Sequence, residues 1–289
     1  MEITDQDIAI FNHTLKSNSP YDFSEYSEKS LKRRIAKLLI DYHVDMSGLL
    51  RNIRENKNFV EQIIKDITVN TTELFRDPVL WQTLRYRILP EMKNCKTLNI
   101  WHAGCSTGQE VYSMLILLYE TGLFDRAKVY ATDINADVLD TAKTGVYKYR
   151  FNINYLDNFD KVLKENPFNF EEFNDVPYSK YITIDKNKDT LSFHKFLTEK
   201  PVYRKHDLVK DNNIFFVKFD IILCRNVIIY FNYKLQNKVV QFFHDNLHDN
   251  SLLILGKQES VRGNIALHFE KNNHVFQKTQ NYNLNNSYV

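Results

Sequence analysis

Up to about Thr68 the apolar positions recur with helical spacing, and no segment alternates as a half-buried strand would. Leu31, Ile35, Leu38 and Leu39 fall on one stripe while Lys29, Lys32, Arg33 and Lys37 lie opposite, which predicts a helix with one packing face and one strongly positive face. The same spacing predicts helices around Thr4–Lys16, Met46–Asn56 and Asn58–Thr68. From Lys96 the rhythm becomes strand, loop, helix. Thr97–His102 reads as a short strand, Ala103–Gln109 as a glycine-bearing turn and Glu110–Tyr119 as an apolar helix. Lys128–Thr132 is a second strand ending at Asp133, with Asn135 placed to cap a helix running to Lys143. Phe219–Cys224 and Ser251–Leu255 are near-continuous apolar runs, as strands buried on both faces are, and a helix over Tyr233–Leu247 separates them. Such repetition predicts an α/β fold with a central parallel sheet wrapped by helices.

Between Gly145 and Thr198 the rhythm breaks. Lys180–Ile184 and Thr190–Phe193 read as short strands joined by the turn-forming run Asp185–Asp189, predicting an antiparallel insertion over about residues 150–200. His268–Glu270 and His274–Lys278, flanking Lys271–Asn273, read as a closing hairpin. The expected organisation is an all-α unit over residues 1–80 followed by an α/β unit over residues 81–289. The Asn-rich stretch Asn152–Pro177 carries no pattern from which a function can be derived.

With 289 residues, 43% hydrophobic and 13% aromatic, the chain can bury a real core, which excludes disorder as its main state. Runs such as Ile221–Cys224 and Leu252–Leu255 are far shorter than the roughly 18 residues of a membrane-spanning helix, and Met1–Ile10 carries acids where a signal peptide carries bases. A soluble, cytoplasmic protein is expected. A formal net charge of +2 argues against a general nucleic-acid binder. Cys95, Cys105 and Cys224 are widely spaced and form no Cys/His cluster, so reduced thiols are expected and neither a disulfide framework nor a metal site. Glycine is scarce, at seven residues in the chain, where average usage gives about 20. Placing Gly104 and Gly108 in one turn therefore points to a backbone requirement there.

That turn, AGCSTGQE over Ala103–Glu110, follows a strand and opens a helix, where open α/β sheets bind ligands. Its GxxxG spacing is neither the dinucleotide fingerprint nor the P-loop, which disfavours a pyrophosphate or triphosphate cradle; a tight turn without a ligand is the plainer alternative. Asp133 can accept hydrogen bonds from the vicinal hydroxyls of a ribose, although an Asp at a strand end also serves as a cap. CRNVIIYF, Cys224–Phe231, carries Arg225, Asn226 and Tyr230 at the C-terminal end of a buried strand. Cys224 reads as a small buried hydrophobe, since no His/Asp partner is evident to make it a nucleophile. In NTTELFRDP, Asn70–Pro78, helix capping and a start at Asp77-Pro78 account for part of the pattern but not for Arg76, whose plainer role is a structural salt bridge.

Together these residues resemble the chemotaxis receptor methyltransferase family, CheR, which transfers a methyl group from S-adenosylmethionine to glutamate side chains of chemoreceptors. The matching motifs run in order from Tyr26 to Ser260: SLKRRI, TTELFRDP, ILP at Ile88–Pro90, AGCSTGQEVYS, ATDIN, GVY at Gly145–Tyr147, HDL at His206–Leu208, FDIILCRNVIIYF and LGKQES. The resemblance implies a Rossmann-like methyltransferase sheet with a small antiparallel insertion, behind a helical domain. It further implies S-adenosylmethionine contacts from Asn70, Thr72, Arg76, Gly104, Glu110, Asp133, Asp207, Leu208, Asn226 and Val227, with Arg76 and Tyr230 bordering the transferred methyl. It also makes Lys29, Lys32, Arg33 and Lys37 a docking face for Glu-rich receptor helices. Gln109 and Val111 depart from the STGEEPYS of many relatives, while Glu110 and Tyr112 remain. Some relatives hold a receptor C-terminal pentapeptide on the insertion, typically with a glycine-containing strand connection; no glycine lies between Val146 and Leu255 here, so no dependence on such a tether is expected.

A glutamate carboxylate, with a pKa of about 4.3, is already ionised at neutral pH and needs no general base, so positioning should dominate the chemistry. The alternatives are an S-adenosylmethionine-binding sensor or a methyltransferase acting on another acceptor. NVIIYF stands where DNA amino-methyltransferases carry [DN]PP[YF], and no Pro-Cys nucleophile is present. A nicotinamide dehydrogenase would need the missing fingerprint and an acid/base His.

Overall fold

A computed structural model describes residues 3–280. Four helices, α1 (Asp5–Asn18), α2 (Glu28–Asp41), α3 (Met46–Glu55) and α4 (Lys57–Ile67), make the first unit. Side-chain caps set three of their starts: Thr4 and Asp7 form a reciprocal capping box, Asp45 accepts from the Gly48 amide, and Asn56 accepts from those of Asn58 and Phe59. The stripe Leu31, Ile35, Leu38 and Leu39 is buried with Phe11, Leu15, Leu49, Ile53 and Ile63 in one core, where each large apolar side chain contributes about 1.5–3 kcal/mol. Lys29, Arg33 and Lys37 remain exposed, Lys37 paired with Asp41; Lys32 is partly covered and lies 2.6 Å from Asp5. This core ends at Ile67, and from Leu74 and Phe75 onward the buried apolar side chains pack in the second unit.

The second unit begins with α5 (Pro78–Thr83), continues through a wider π-helical turn over Leu84–Ile88 and a tighter 3-10 turn over Leu89–Asn94, and reaches β1 (Leu98–Ala103). There follow α6 (Gln109–Glu120), β2 (Ala127–Asp133), α7 (Ala136–Thr144), β3 (Val146–Lys148), α8 (Tyr149–Asn152) and α9 (Tyr155–Leu163). The chain continues through β4 (Ile182–Asp185), β5 (Thr190–Phe193), α10 (Lys195–Thr198) and β6 (Val202–Lys205). It ends with β7 (Phe219–Cys224), α11 (Tyr233–Asn246), β8 (Leu247–Leu255), β9 (Phe269–Asn272) and β10 (Val275–Lys278). The main sheet runs β6-β2-β1-β7-β8-β10-β9, parallel from β6 to β8 and antiparallel at β10 and β9. Strand order reverses between β1 and β7, which opens a crevice at their carboxyl ends where such sheets bind ligands. The α/β architecture with an antiparallel insertion behind a helical unit is therefore the expected one.

Several boundaries differ from the sequence reading. β8 starts at Leu247 rather than Ser251, because Leu247 pairs with Phe219 across a register irregularity. The small sheet β3-β5-β4 recruits Val146–Lys148, so the insertion begins before residue 150. The Asn-rich stretch conceals α9, which buries Leu156, Phe159, Val162 and Leu163; the Phe159 ring meets Phe75 edge-on at 5.9 Å. The closing hairpin extends to Asn272 and turns at Asn273–His274. All three cysteines are free thiols, with Cys105 and Cys224 buried. Among the described residues no helix is long and apolar enough to cross a membrane.

Candidate functional site

The turn after β1 exists because two positions there admit no side chain. Gly104 and Gly108 hold φ of 80° and 91°; a Cβ on Gly104 would fall 2.4 Å from Val227 Cγ2, and one on Gly108 2.7 Å from Ala142 Cβ. The amides of Gly104 and Cys105 donate to the Thr132 carbonyl, and that of Ser106 donates to Asp133 Oδ2 at 2.9 Å, stitching the turn to the end of β2. Asp133 Oδ1 accepts from the Asn135 amide at 2.9 Å. Burial pushes the Asp133 carboxyl up, and the surrounding amides only partly offset it. Each carboxylate oxygen keeps acceptor capacity beyond these bonds.

The turn after β7 is held by a carboxylate that no sequence pattern had marked individually. Glu259 Oε2 accepts from the amides of Asn226 (2.8 Å) and Gly256 (2.7 Å), and Oε1 from those of Val227 (2.9 Å) and Ile229 (3.1 Å). Gly256 has no room for more: a Cβ would lie 2.7 Å from Glu259 Oε2 and 2.9 Å from the Asn226 nitrogen. Burial raises the Glu259 carboxyl above its ordinary value despite these amides. Thus the LGKQES segment fixes the backbone that presents Asn226, itself left-handed at φ 61°, together with Val227 and Tyr230.

A chain of charges sets the third wall. Arg225 places Nη1 2.9 Å from Glu110 Oε2 and Nη2 2.6 Å from Asp77 Oδ2, and donates to the Arg76 carbonyl at 3.1 Å. His102 Nδ1 lies 3.0 Å from the other Glu110 oxygen, and Lys257 pairs with Asp77 at 2.7 Å. Burial would raise the Glu110 carboxyl, but His102 and Arg225 outweigh it and hold it below its usual range. α5 does start at Pro78, yet Asp77 does not cap it: the residue sits at φ 60° with no side-chain cap bond, its carboxylate committed to Arg225 and Lys257. The cost of that left-handed backbone is offset by two ion pairs that lock the segment carrying Arg76.

These walls enclose one cavity. It is lined by Asn70, Thr72 and Arg76 from the connection between units, Gly104, Glu110 and Asp133 from the β1 and β2 ends, Asp207 and Leu208 after β6, and Asn226, Val227 and Tyr230 after β7. Lys29, Lys32, Arg33 and Lys37 do not line it. Sequence reasoning missed the roof: Phe23, Tyr26, Ser30, Leu31 and Arg34 reach in from the helical unit. Tyr26 bridges to Phe231 with rings 5.0 Å apart, the Ser27 amide donates to the Tyr230 carbonyl at 2.8 Å, and the Asn232 amide to that of Glu25 at 2.8 Å. The available signal was the SLKRRI spacing, which puts Ser30, Leu31 and Arg34 along one helix edge. Burial raises the Tyr230 phenol, while the positive charges of Arg34 and Arg76 pull it back.

The cavity has the chemistry of an adenosine-bearing cofactor site. Ser106 Oγ and His206 Nδ1 are buried without a hydrogen-bond partner among the described residues, and both residues line it. Buried polar orphans call for a ligand or water. Asp133 beside them has the acceptor capacity that ribose hydroxyls need.

Comparison with known proteins gives concordant matches. Residues 6–68 match the family model "CheR methyltransferase, all-alpha domain", and residues 70–173 and 164–276 match "CheR methyltransferase, SAM binding domain". The Cher3 protein of Pseudomonas putida is 34% identical over 259 residues, covering 89% of this chain and 90% of that one. A "Chemotaxis protein methyltransferase" of Borreliella burgdorferi is 28% identical over 289 residues, covering 93% of each chain. "Chemotaxis protein methyltransferase 1" of Vibrio cholerae is 29% identical over 271 residues, covering 90% and 91%.

Proposed function

The chain belongs to the CheR methyltransferase family, and from that premise we propose that it converts glutamate side chains on the cytoplasmic helices of chemoreceptors into methyl esters. It is an S-adenosylmethionine-dependent methyltransferase of the chemotaxis class. When bound, the cofactor supplies an electrophilic methyl on a sulfonium sulfur. Asn70, Thr72, Gly104, Glu110, Asp133, Asp207, Leu208, Asn226 and Val227 would hold it, since all of them line the same cavity. Arg76 would orient the incoming carboxylate and Tyr230 would lie beside the transferred group. An acceptor of pKa about 4.3 arrives ionised, so these residues need only position it and keep water out.

The observation that carries this reading is the two-sidedness of α2. One edge of the helix lines the cavity, while Lys29, Arg33 and Lys37 stand exposed outside it. A Glu-rich helix attracted to that positive face would bring its carboxylates to the cavity mouth. The glycine-free insertion supports docking without a pentapeptide tether. The test is transfer of labelled methyl from S-adenosylmethionine to a receptor cytoplasmic fragment by wild type, Arg76→Ala and Tyr230→Phe. Base-labile label on the receptor, reduced in both variants with folding intact, is expected. Tight cofactor binding without transfer would favour a sensor instead.

A further inference from the structure

Arg34 stands apart from the other cations of α2. It is partly buried, lines the cavity with Ser30 and Leu31, and makes no hydrogen bond or ion pair among the described residues. Arg76, across the same space, has only Glu73 at 4.0 Å, the outer limit of a pair. Carboxylates inside the cavity do not serve either cation. Glu110 is engaged by His102 and Arg225, Asp133 by the amides of Ser106 and Asn135, and Asp207 by the Val209 amide. Arg34, Arg76 and Tyr230 all line the same cavity. A partly desolvated guanidinium with no anion, and a second paired only at 4.0 Å, are costly, and an arriving carboxylate would relieve both.

We propose that Arg34 and Arg76, one from each unit, form a clamp that receives the acceptor carboxylate beside Tyr230, so that Arg34 is a substrate-contact residue and the pair selects carboxylate acceptors over amides and amines. This rests on the carboxyl-methylation reading. It assigns the edge of α2 a role different from that of its outer face. Lys29, Arg33 and Lys37 act at long range, in solvent, and are screened by salt; Arg34 acts at contact distance in a covered site and is screened far less. Ser30, one turn before Arg34, lines the same cavity.

The experiment compares full-length wild type, Arg34→Gln and Arg34→Lys, with thermal melts as the control for folding. It reads kcat and KM for a receptor cytoplasmic fragment and, by calorimetry, the Kd for S-adenosylhomocysteine. Arg34→Gln is expected to lower kcat/KM for the receptor by about tenfold or more. The S-adenosylhomocysteine affinity should stay within about twofold, Arg34→Lys should recover part of the rate, and the defect should persist at high salt. Wild-type kcat/KM in Arg34→Gln would overturn the clamp while leaving the carboxyl reading intact. An equal loss of S-adenosylhomocysteine affinity would also overturn it, by assigning Arg34 to the carboxylate of the cofactor. No ester on the receptor from wild type itself would overturn both.

Discussion

Replacing Glu259 by Gln tests whether one carboxylate positions the loop that carries Asn226, Val227 and Tyr230. The side chain keeps its size, but an amide offers one acceptor oxygen where the carboxylate offers two. Whichever way it turns, either the Asn226 and Gly256 amides or those of Val227 and Ile229 lose their acceptor and face an NH2 group. Hydrogen bonds to a charged acceptor are worth about 1.5–3 kcal/mol each, so two amount to roughly 3–6 kcal/mol. Removing a buried charge returns part of that, because burial already disfavours the ionised form. A net loss of about 2–4 kcal/mol is expected in urea unfolding, with a fall in kcat that exceeds the rise in KM for the receptor, as Tyr230 shifts with its loop. Glu259→Asp, which keeps the charge but shortens the reach, should restore part of the rate. If Glu259→Gln melts and turns over like wild type, the carboxylate is not what holds the loop.

Gly104→Ala should lose cofactor affinity and about 2 kcal/mol or more of stability, since the added methyl meets Val227 Cγ2 at 2.4 Å on a left-handed backbone; calorimetric titration and thermal melts read the two effects. The Asp22 carboxyl, which burial would raise, is held down at about 2 by Lys16 and Ser24. Its contribution is therefore present above the ordinary value near 3.8 and lost as pH falls toward about 2, so Asp22→Asn should be less stable than wild type at pH 6 and converge with it at pH 2. Methylation of a receptor fragment should fall steeply with added salt while S-adenosylhomocysteine affinity barely changes, and Lys29→Ala with Arg33→Ala should flatten that response.

What could be read from sequence divides along physical lines. Strands buried on both faces, such as Phe219–Cys224, announce themselves as continuous apolar runs, and the scarcity of glycine made the Gly104–Gly108 turn visible. β6 escaped notice because it is short, polar and at the sheet edge, held by pairing with β2 rather than by its own apolar pattern. α9 was hidden by Asp157 and Lys161 on its exposed side, although Leu156, Phe159, Val162 and Leu163 carry a helical stripe. In the cavity, residues on motif turns were named beforehand, whereas Tyr26, and Glu259 behind the loop after β7, depend on contacts between distant segments that no local period encodes. Arg225 was noticed, but its link between Glu110 and Asp77 required all three elements in place.

The most direct test of the account is to incubate the protein with methyl-labelled S-adenosylmethionine and a Glu-rich chemoreceptor cytoplasmic fragment, then locate the label by peptide mass spectrometry before and after mild base. The account predicts methyl groups on glutamate side chains that are released by base. Base-stable label on lysine or arginine, or label on nucleic acid with none on the receptor, would contradict it.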